Sequence, residues 1–230
     1  HTGGSYAANV STRYKKRYKY TGSIELDHSS LRSSDPEFPD YEVQNNFFIK
    51  WRHTQDPKAR PNSSFSANVN AGSSTAFSNS LTTNTSDFLR NTFTSSIAYQ
   101  KSWPGTPFSL NTSMSHSQST VTKDVNVTLP QLAFNVARIF PFKRKESVGK
   151  QKWYEKIGLS YQLRAENRVN APDSTFFTQS TLNSMRNGVS HSIPISTSFK
   201  ALKYFTITPS ASYNERWFFQ SLNRGWDNDL

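Results

Sequence analysis

Residues 92–117 constrain the fold most, because two long alternating segments flank a tight turn. Serine, threonine, asparagine and glutamine fill most of one phase in each arm. The other phase is mainly apolar, with Phe93, Ile97, Tyr99 and Trp103 in the first arm and Phe108, Leu110 and Met114 in the second. The turn, residues 103–107, contains two prolines and a glycine. This pattern predicts a β-hairpin with one apolar and one polar face. Each arm is close to the roughly 9–11 residues that cross a bilayer when tilted.

Composition favours strands over helices. Of 230 residues, 34% are hydrophobic and 14% are aromatic. These values are poor for a helical globule but normal for a β-barrel whose apolar belt faces lipid. No run approaches the roughly 18 apolar residues of a membrane helix, so any membrane crossing would use strands. The chain has no cysteine, which excludes disulfides and thiolate metal sites.

The charge is strongly positive. There are 27 lysines and arginines against 16 acidic residues, a formal net charge of +11. Nucleic acid, anionic lipid and phosphorylated glycolipid suit this charge equally well, so it indicates only that a partner is anionic. No signal peptide begins at His1, and no aromatic-ended strand closes the chain at Leu230. We therefore expect a mature fragment that is cut at both ends.

Alternation predicts ten strands. They cover residues 6–14, 18–26, 43–53, 65–71, 93–103, 108–116, 125–136, 153–165, 193–199 and 205–213. Long loops, including 73–91 and 168–188, alternate with short turns, as in outer-membrane barrels. A change of phase at Pro130 predicts a β-bulge. We predict an all-β, antiparallel, up-and-down transmembrane β-barrel. Residues 1–230 would supply about ten strands of one larger barrel domain, with no separate second domain.

Two sets of side chains are candidate functional residues. Aromatic residues gather at the strand ends that face the short turns, where an interfacial girdle is expected. The girdle candidates are Tyr14, Tyr18, Trp51, Trp103, Trp153 and Tyr204. Basic residues on the polar phase would face the lumen and could hold phosphate groups in transit. These ligand-contact candidates are Arg13, Lys50, Arg52, Lys156 and Arg164. Alternatively, they fill a wet lumen and pair with Glu25, Asp27 or Glu166.

No catalytic or metal-binding pattern is present in the sequence. The five histidines are scattered without paired ligand spacing. Neither a Gly-x-Ser-x-Gly elbow nor a glycine-rich phosphate loop occurs. We therefore expect no enzyme activity, no catalytic residue, no metal site and no cofactor.

Four segments carry a resemblance to a known family. They read FFIKWRHTQDPKARP at 47–61, TSDFL at 85–89, YQKSWPGTPF at 99–108 and VTLP at 127–130. Together they resemble the barrel region of the LptD family of lipopolysaccharide-assembly outer-membrane proteins, in its Bacteroidetes-type form. The likeness spans most of residues 1–220. It implies an integral barrel of the Gram-negative outer membrane, on the order of 26 strands, that inserts lipopolysaccharide into the outer leaflet.

The resemblance also implies partners. These are lipopolysaccharide, outer-membrane lipids, an LptE-like lipoprotein plug and a periplasmic lipopolysaccharide-bridge protein, with no nucleic acid. The cargo would leave through a weakly paired seam. Two other hypotheses remain open: a porin- or receptor-type barrel for small solutes, and a soluble β-rich module that binds anionic glycans or nucleic acid. In the soluble module the apolar phase would face inward.

Overall fold

A ten-stranded antiparallel sheet dominates the fold. The computed structural model describes residues 4–32, 37, 41–73, 92–144, 149, 151–176, 178–202 and 204–220. The strands are β1 (Ser5–Lys16), β2 (Tyr20–Arg32), β3 (Val43–Gln55), β4 (Ser63–Gly72), β5 (Thr92–Ser102), β6 (Phe108–Ser119), β7 (Asp124–Ile139), β8 (Gly158–Pro172), β9 (Arg186–Ser196) and β12 (Ser210–Phe218). They lie side by side in chain order, with β12 next to β9. The prediction of an all-β, up-and-down, antiparallel architecture is confirmed.

The order of the ten strands has two ends. β1 and β12 stand at these two ends, each hydrogen-bonded to a single neighbour within the described residues. A closed barrel has no edges, so ten strands with two free edges agree with part of a larger barrel. Nine of the ten strands have ten or more residues. That length is enough to cross a bilayer at a tilt.

Two predicted strands differ from the structure at their ends. The eighth was predicted from residue 153 but begins at Gly158, because Trp153–Lys156 forms a 3₁₀ turn. The ninth and tenth share residues with a separate hairpin of β10 (Phe199–Ala201) and β11 (Phe205–Ile207). The arms of this hairpin keep the same two-residue period, so alternation alone does not reveal the break.

The predicted loop at 168–188 is largely regular structure. β8 continues to Pro172, and a 3₁₀ turn (Asp173–Thr175) and a short helix, α1 (Gln179–Asn183), follow it. β9 then begins at Arg186. Most of the other long loop, residues 74–91, lies outside the described residues.

The chain divides into two compact units. The first comprises His1–Gln100, Thr112–Leu129 and Arg168–Met185, and it contains β1 to β4. The second comprises Lys101–Asn111, Pro130–Asn167 and Arg186–Leu230, and it contains β9 to β12. The assignment of residues 1–230 to one barrel domain stays a prediction.

Phe93 is buried on the polar side of the first unit. Its ring is 1% exposed and lies 5.5 Å from the ring of Phe48, centroid to centroid. Phe48 shares a face of β3 with Lys50, so the prediction that Phe93 faces lipid is wrong. Gly72 is the register partner of Phe48, and a Cβ at Gly72 would lie 2.9 Å from the Phe48 ring. Glycine at position 72 therefore leaves room for the Phe48 ring.

A second apolar cluster anchors the segment that follows β8. Its members are Val125, Val127 and Val169, with Met114, Phe176 and Met185 packed against them. Polar contacts accompany it: the Asp173 backbone N–H donates to the Lys123 carbonyl (2.7 Å), and Gln118 Nε2 donates to the Asp173 carboxylate (3.2 Å). Residues 173–185 are therefore held against the ends of β6 and β7.

The contacts of β7 change parity across Pro130. Val125 belongs to the cluster on which Met114 of β6 packs. Beyond Pro130, Phe134 stacks on Phe108 of β6 with ring centroids 6.0 Å apart. Met114 and Phe108 have the same parity in β6, whereas Val125 and Phe134 have opposite parity in β7. A one-residue bulge produces such a change, so these contacts support the predicted bulge, which stays a prediction.

Two further findings concern the described part of the chain alone. No helix within it is both long and apolar enough to cross a membrane. No group of three or more His, Asp or Glu residues within it could hold a metal ion.

Candidate functional site

Strands β1 to β4 form a two-faced sheet. Their register is defined residue by residue, and directly opposed residues of antiparallel strands point to the same face. One face is aromatic and aliphatic. It carries Tyr6, Val10, Tyr14, Tyr20, Ile24, Leu26, Phe47, Ile49, Trp51 and Val69. The other face carries serines, asparagines and charged residues. For these four strands, the structure agrees with the alternation that the sequence predicts.

The apolar face is open. Val10, Leu26, Phe47 and Ile49 are all exposed among the described residues. In a soluble sandwich this face would be the packed interior, and a continuous apolar surface of this kind is unusual on a water-soluble monomer. The hydrocarbon of a bilayer would cover such a face.

A salt bridge crosses the middle of the polar face. Glu25 of β2 is the register partner of Lys50 of β3, and Lys50 Nζ lies 3.7 Å from Glu25 Oε2. Lys50 Nζ also lies 5.8 Å from the centre of the Phe48 ring. Nearby, the Asn9 side-chain amide donates a hydrogen bond to Asp27. For Lys50, the alternative of pairing with a neighbouring carboxylate is therefore the one that the structure supports.

Two arginines flank a serine on an adjacent rung of the same face. Ser23 is the register partner of both Arg13 in β1 and Arg52 in β3. Neighbouring strands are about 4.8 Å apart, so the two arginine backbones are about 10 Å apart. Both arginines are exposed, and neither forms an ion pair with a described residue. Their guanidinium groups are therefore available to phosphate or carboxylate oxygens.

The other two lumen candidates have different settings. Lys156 ends the 3₁₀ turn before β8, so its predicted place on the polar phase of a strand is wrong. Arg164 lies in β8, is exposed, and belongs to the second unit. The structure thus brings Arg13, Lys50 and Arg52 together on one face.

A buried carboxylate explains why the chain turns before β8. Glu155 is bonded by the Arg144 guanidinium and accepts the Lys152 backbone N–H at 2.7 Å. These bonds hold the chain in a turn where the sequence predicts a strand. The hydrogen bond from Arg144, followed by that from the Lys152 backbone, lowers the pKa of the Glu155 carboxyl below its ordinary value.

Two girdle candidates share a hydrogen-bonded cluster with a histidine. Trp51 Nε1 donates to the Tyr14 hydroxyl (2.9 Å), which lies 2.9 Å from His53 Nδ1. Since this hydroxyl accepts from the indole, it can donate its own proton to the imidazole. Gly22 faces Tyr14 in register, and a Cβ at Gly22 would overlap the Tyr14 ring and lie 2.6 Å from the Arg52 carbonyl oxygen. Glycine therefore permits this placement of Tyr14.

The cluster lies where β1 to β4 meet their short turns. Tyr20 begins β2 and Phe65 lies near the start of β4, with ring centroids 5.5 and 5.3 Å from that of His53. Rings with an apolar body and a polar tip suit the boundary between hydrocarbon and headgroups. The prediction omitted Tyr20, His53 and Phe65 from the girdle, although their shared phase at adjoining strand ends was a usable signal.

The remaining girdle candidates lie in turns. Tyr18 has a φ of 59° between β1 and β2, and Trp103 directly follows β5. Trp153 belongs to the 3₁₀ turn, and Tyr204 lies between β10 and β11. All four are exposed. Their contact with a bilayer interface stays a prediction.

A second polar–aromatic cluster, in the second unit, was not predicted. The Tyr161 hydroxyl lies 2.7 Å from His191 Nδ1, and the His191 and Trp217 ring centroids are 4.8 Å apart. Trp217 Nε1 and the Tyr213 hydroxyl both donate to the Glu215 carboxylate, at 2.7 and 3.1 Å. Both clusters combine histidine, tyrosine and tryptophan from neighbouring strands. An up-and-down order makes the ninth and tenth strands neighbours, but the predicted tenth strand ends at residue 213, before Glu215 and Trp217, so the sequence did not predict the register of β9 with β12 that brings these residues together.

Comparison with known proteins adds a family to this geometry. A family model described as LptD protein matches residues 1–229. The chain belongs to the LptD family. Comparisons with curated proteins and with solved structures give no match. The resemblance inferred from sequence segments is therefore confirmed at the level of the family.

Membership in the LptD family fixes several properties at a coarse level. LptD proteins are outer-membrane proteins that serve lipopolysaccharide transport and assembly. They act there as non-enzymatic components, with lipopolysaccharide as their substrate and with partners from the same pathway. The β-rich architecture of this chain is consistent with an outer-membrane β-barrel.

Proposed function

We propose that this chain forms part of the wall of a Gram-negative outer-membrane β-barrel that inserts lipopolysaccharide into the outer leaflet. The observation that carries the proposal is the two-faced sheet of β1 to β4, which has an open apolar face and a charged opposite face. The apolar face suits lipid contact, and the charged face suits a wet lumen. Family membership supplies the class of cargo.

The chemistry of the cargo matches the polar face. Lipopolysaccharide carries phosphate groups, and arginine binds phosphate through paired, charge-assisted hydrogen bonds. Arg13 and Arg52 lie on either side of Ser23 and could engage one phosphate together or two in succession. Lys50, already paired with Glu25, would help to shape the site and balance its charge. Arg164 is a further proposed contact on β8.

Passage through the lumen needs binding that is strong enough to admit the cargo and weak enough to release it. Exposed arginines on strands meet this requirement better than a buried site, because water competes for their hydrogen bonds. Transport of this kind needs no catalytic group. We further propose an LptE-like lipoprotein inside the barrel and a periplasmic bridge protein as partners, on the basis of the family pathway.

A matched pair of double variants tests the contacts. Changing Arg13 and Arg52 together to glutamine keeps polar side chains on the strands but removes both guanidinium groups. We expect normal membrane insertion and reduced lipopolysaccharide at the cell surface, with the affinity for transported lipid falling about tenfold for each arginine. The control changes Lys58 and Arg60 to glutamine, which removes the same charge from the turn between β3 and β4.

Three results would count against the proposal. Unchanged surface lipopolysaccharide in the correctly inserted arginine variant would refute the assigned contacts. Altered solute uptake with unchanged surface lipopolysaccharide, on depletion of the protein, would favour a porin or receptor. Recovery of the native protein in the soluble fraction without detergent would exclude any membrane barrel.

A further inference from the structure

Two connections of the second unit expose an unusual mixture of side chains. They are residues 140–157, between β7 and β8, and residues 197–209, between β9 and β12. Large apolar side chains and lysines are exposed on both. We call the following residues the turn patch: Phe142, Lys143, Lys152, Trp153, Lys200, Leu202, Tyr204 and Phe205.

The β10–β11 hairpin has an apolar face that is exposed on its β11 side. Its register puts Phe199 opposite Ile207 and Ala201 opposite Phe205, so these four residues share one face. Phe205 and Ile207 are exposed, and a two-stranded hairpin with three-residue arms is marginal in water by itself. Contact with a further apolar phase would stabilise it.

The tip of the hairpin carries the most exposed large apolar and aromatic side chains of the patch. Leu202 is 82% exposed and Tyr204 is 89% exposed. Leu202 also has a φ of 48°, a left-handed conformation that is uncommon for a residue with a bulky side chain. The chain therefore presents a leucine at a position where glycine or asparagine would fit more easily.

Specific contacts hold the two connections together. Arg138 Nη2 donates to the Ser196 carbonyl (2.9 Å) from the end of β7 to the end of β9. The Thr197 hydroxyl donates to the Trp153 carbonyl (3.3 Å). Gly158 leaves room for Arg138, because a Cβ there would overlap the guanidinium group. The apolar tip and the basic turn are therefore parts of one surface.

The positive charge of this surface indicates an anionic partner. The two connections contain eight basic and two acidic residues. One of the acidic residues, Glu155, is bonded to Arg144 and buried. Lys143, Lys152 and Lys200 are exposed. A surface that combines exposed lysines with aromatic and aliphatic side chains suits an anionic membrane interface, whereas the buried centre of a protein–protein interface is depleted of lysine.

We propose that the turn patch inserts into the headgroup layer of the adjacent bilayer leaflet and preferentially binds anionic phospholipid there. Leu202, Tyr204 and Phe205 would enter the boundary between headgroups and acyl chains, and Lys143, Lys152 and Lys200 would meet lipid phosphates. The proposal rests on the membrane placement in the proposed function. It adds a phospholipid-selective surface that is separate from the transported glycolipid.

A single fluorescent label tests insertion of the tip. The chain has no cysteine, so Leu202→Cys gives one labelling site for an environment-sensitive probe. The whole chain is reconstituted in phosphatidylcholine vesicles with or without about one third phosphatidylglycerol. We expect a blue-shifted probe that is quenched by lipid-borne quenchers, more strongly with quencher-labelled phosphatidylglycerol than with the phosphatidylcholine analogue. Lys58→Cys, in the hydrophilic turn between β3 and β4, is the control. A probe at this position should show the emission of a water-exposed site and no quenching by lipid-borne quenchers.

A charge variant tests lipid selection. Replacing Lys143, Lys152 and Lys200 together with glutamine should abolish the preference for phosphatidylglycerol, a loss of about fivefold for each lysine in relative lipid association. Insertion of the barrel, measured as resistance to alkaline extraction, should not change. The control variant replaces Lys15, Lys16 and Lys19, in and beside the first turn, with glutamine and should retain the preference.

The outcomes separate the two proposals. Loss of the native chain from the membrane on alkaline extraction would overturn the barrel itself. If the chain resists extraction but the probe at position 202 shows the same emission and the same lack of lipid quenching as the probe at position 58, the turn patch alone would be overturned. Shielding of Leu202 in intact cell envelopes but not in vesicles would indicate a protein partner and would also overturn it. Equal quenching by both lipid classes would overturn anionic selection.

Discussion

Replacing Leu26 with arginine tests the assignment of faces in β1 to β4 most directly. Leu26 is the middle residue of the 13-residue β2, and its register partners are Val10 and Ile49 on the open apolar face. Six residues at about 3.3 Å each, tilted by about 45°, place either strand end roughly 14 Å from Leu26 along the membrane normal. Since the apolar band of such barrels is about 25 Å tall, Leu26 lies near its midplane.

An arginine that faces lipid at this depth should destabilise the barrel by about 2–4 kcal/mol. The control is Ser11→Arg. Ser11 lies one rung away from the Val10–Leu26 rung, at the same depth, on the polar face, and its register partner is Glu25. There the new charge stays in water beside a carboxylate, and the change in stability should be below about 1 kcal/mol.

The measurement is equilibrium unfolding by urea in lipid vesicles, followed by tryptophan fluorescence. The difference in free energy of unfolding between the two variants carries the result, because both introduce the same side chain at the same depth. Equal losses would show that both faces are in similar surroundings. A larger loss for Ser11→Arg would reverse the assignment of lipid and lumen.

Three further predictions use the same unfolding assay or amide hydrogen exchange. Phe93→Ala should lose about 3–5 kcal/mol by opening a cavity beside Phe48, whereas truncation of the exposed Phe47 should cost clearly less; similar losses would contradict the buried pair. Gly22→Val should displace the Tyr14 ring that lies over Gly22 and alter the tryptophan emission, because Trp51 donates to the Tyr14 hydroxyl. Unchanged emission would contradict the packing of Tyr14 over Gly22. Because the pKa of Glu155 is lowered, its bonds are complete above the ordinary glutamate range and are lost as pH falls through the lowered value. The protection of the Lys152 amide, measured relative to its intrinsic exchange rate at each pH, should fall over that range and should be absent at every pH in Glu155→Ala, which has no side-chain acceptor. Protection that persists in the variant would contradict the assigned bond.

The first four strands were predictable because each has a clear alternation and a short turn. Val10, Leu26 and Ile49 fall on one phase of three successive strands. The short turn after β1 sets the register of Val10 with Leu26, whereas the pairing of Leu26 with Ile49 crosses a long connection and depends on the alternation itself. If the pairing of one of these strands slipped by one residue, its apolar side chains would move to the charged face, so the alternation itself opposes a wrong register. The grouping of Arg13, Lys50 and Arg52 follows from the same register.

The sequence was less informative where neighbours decide the surroundings of a residue. Phe93 has the parity of an apolar phase, but its ring packs on Phe48, which lies on the polar face of β3 in a place where Gly72 leaves room for the Phe48 ring. Parity states which residues of one strand share a face, and it does not state what covers that face. The prediction for Lys156 was wrong for another reason. The bonded carboxylate of Glu155 holds residues 153–156 in a turn, so β8 begins later than the alternation predicts.

Histidine shows how much depends on neighbouring strands. A lone His53 among apolar residues gives no sign of a metal site, and by sequence alone it is an ordinary strand position. Register places it beside the Tyr14 hydroxyl, which in turn accepts from Trp51. A polar ring can then stay on an apolar face, because its acceptor nitrogen is satisfied by a neighbour rather than by water. Tyr161 and His191 repeat this contact at 2.7 Å in the second unit, so at two places in this chain a tyrosine hydroxyl satisfies an imidazole nitrogen on a mostly apolar strand surface.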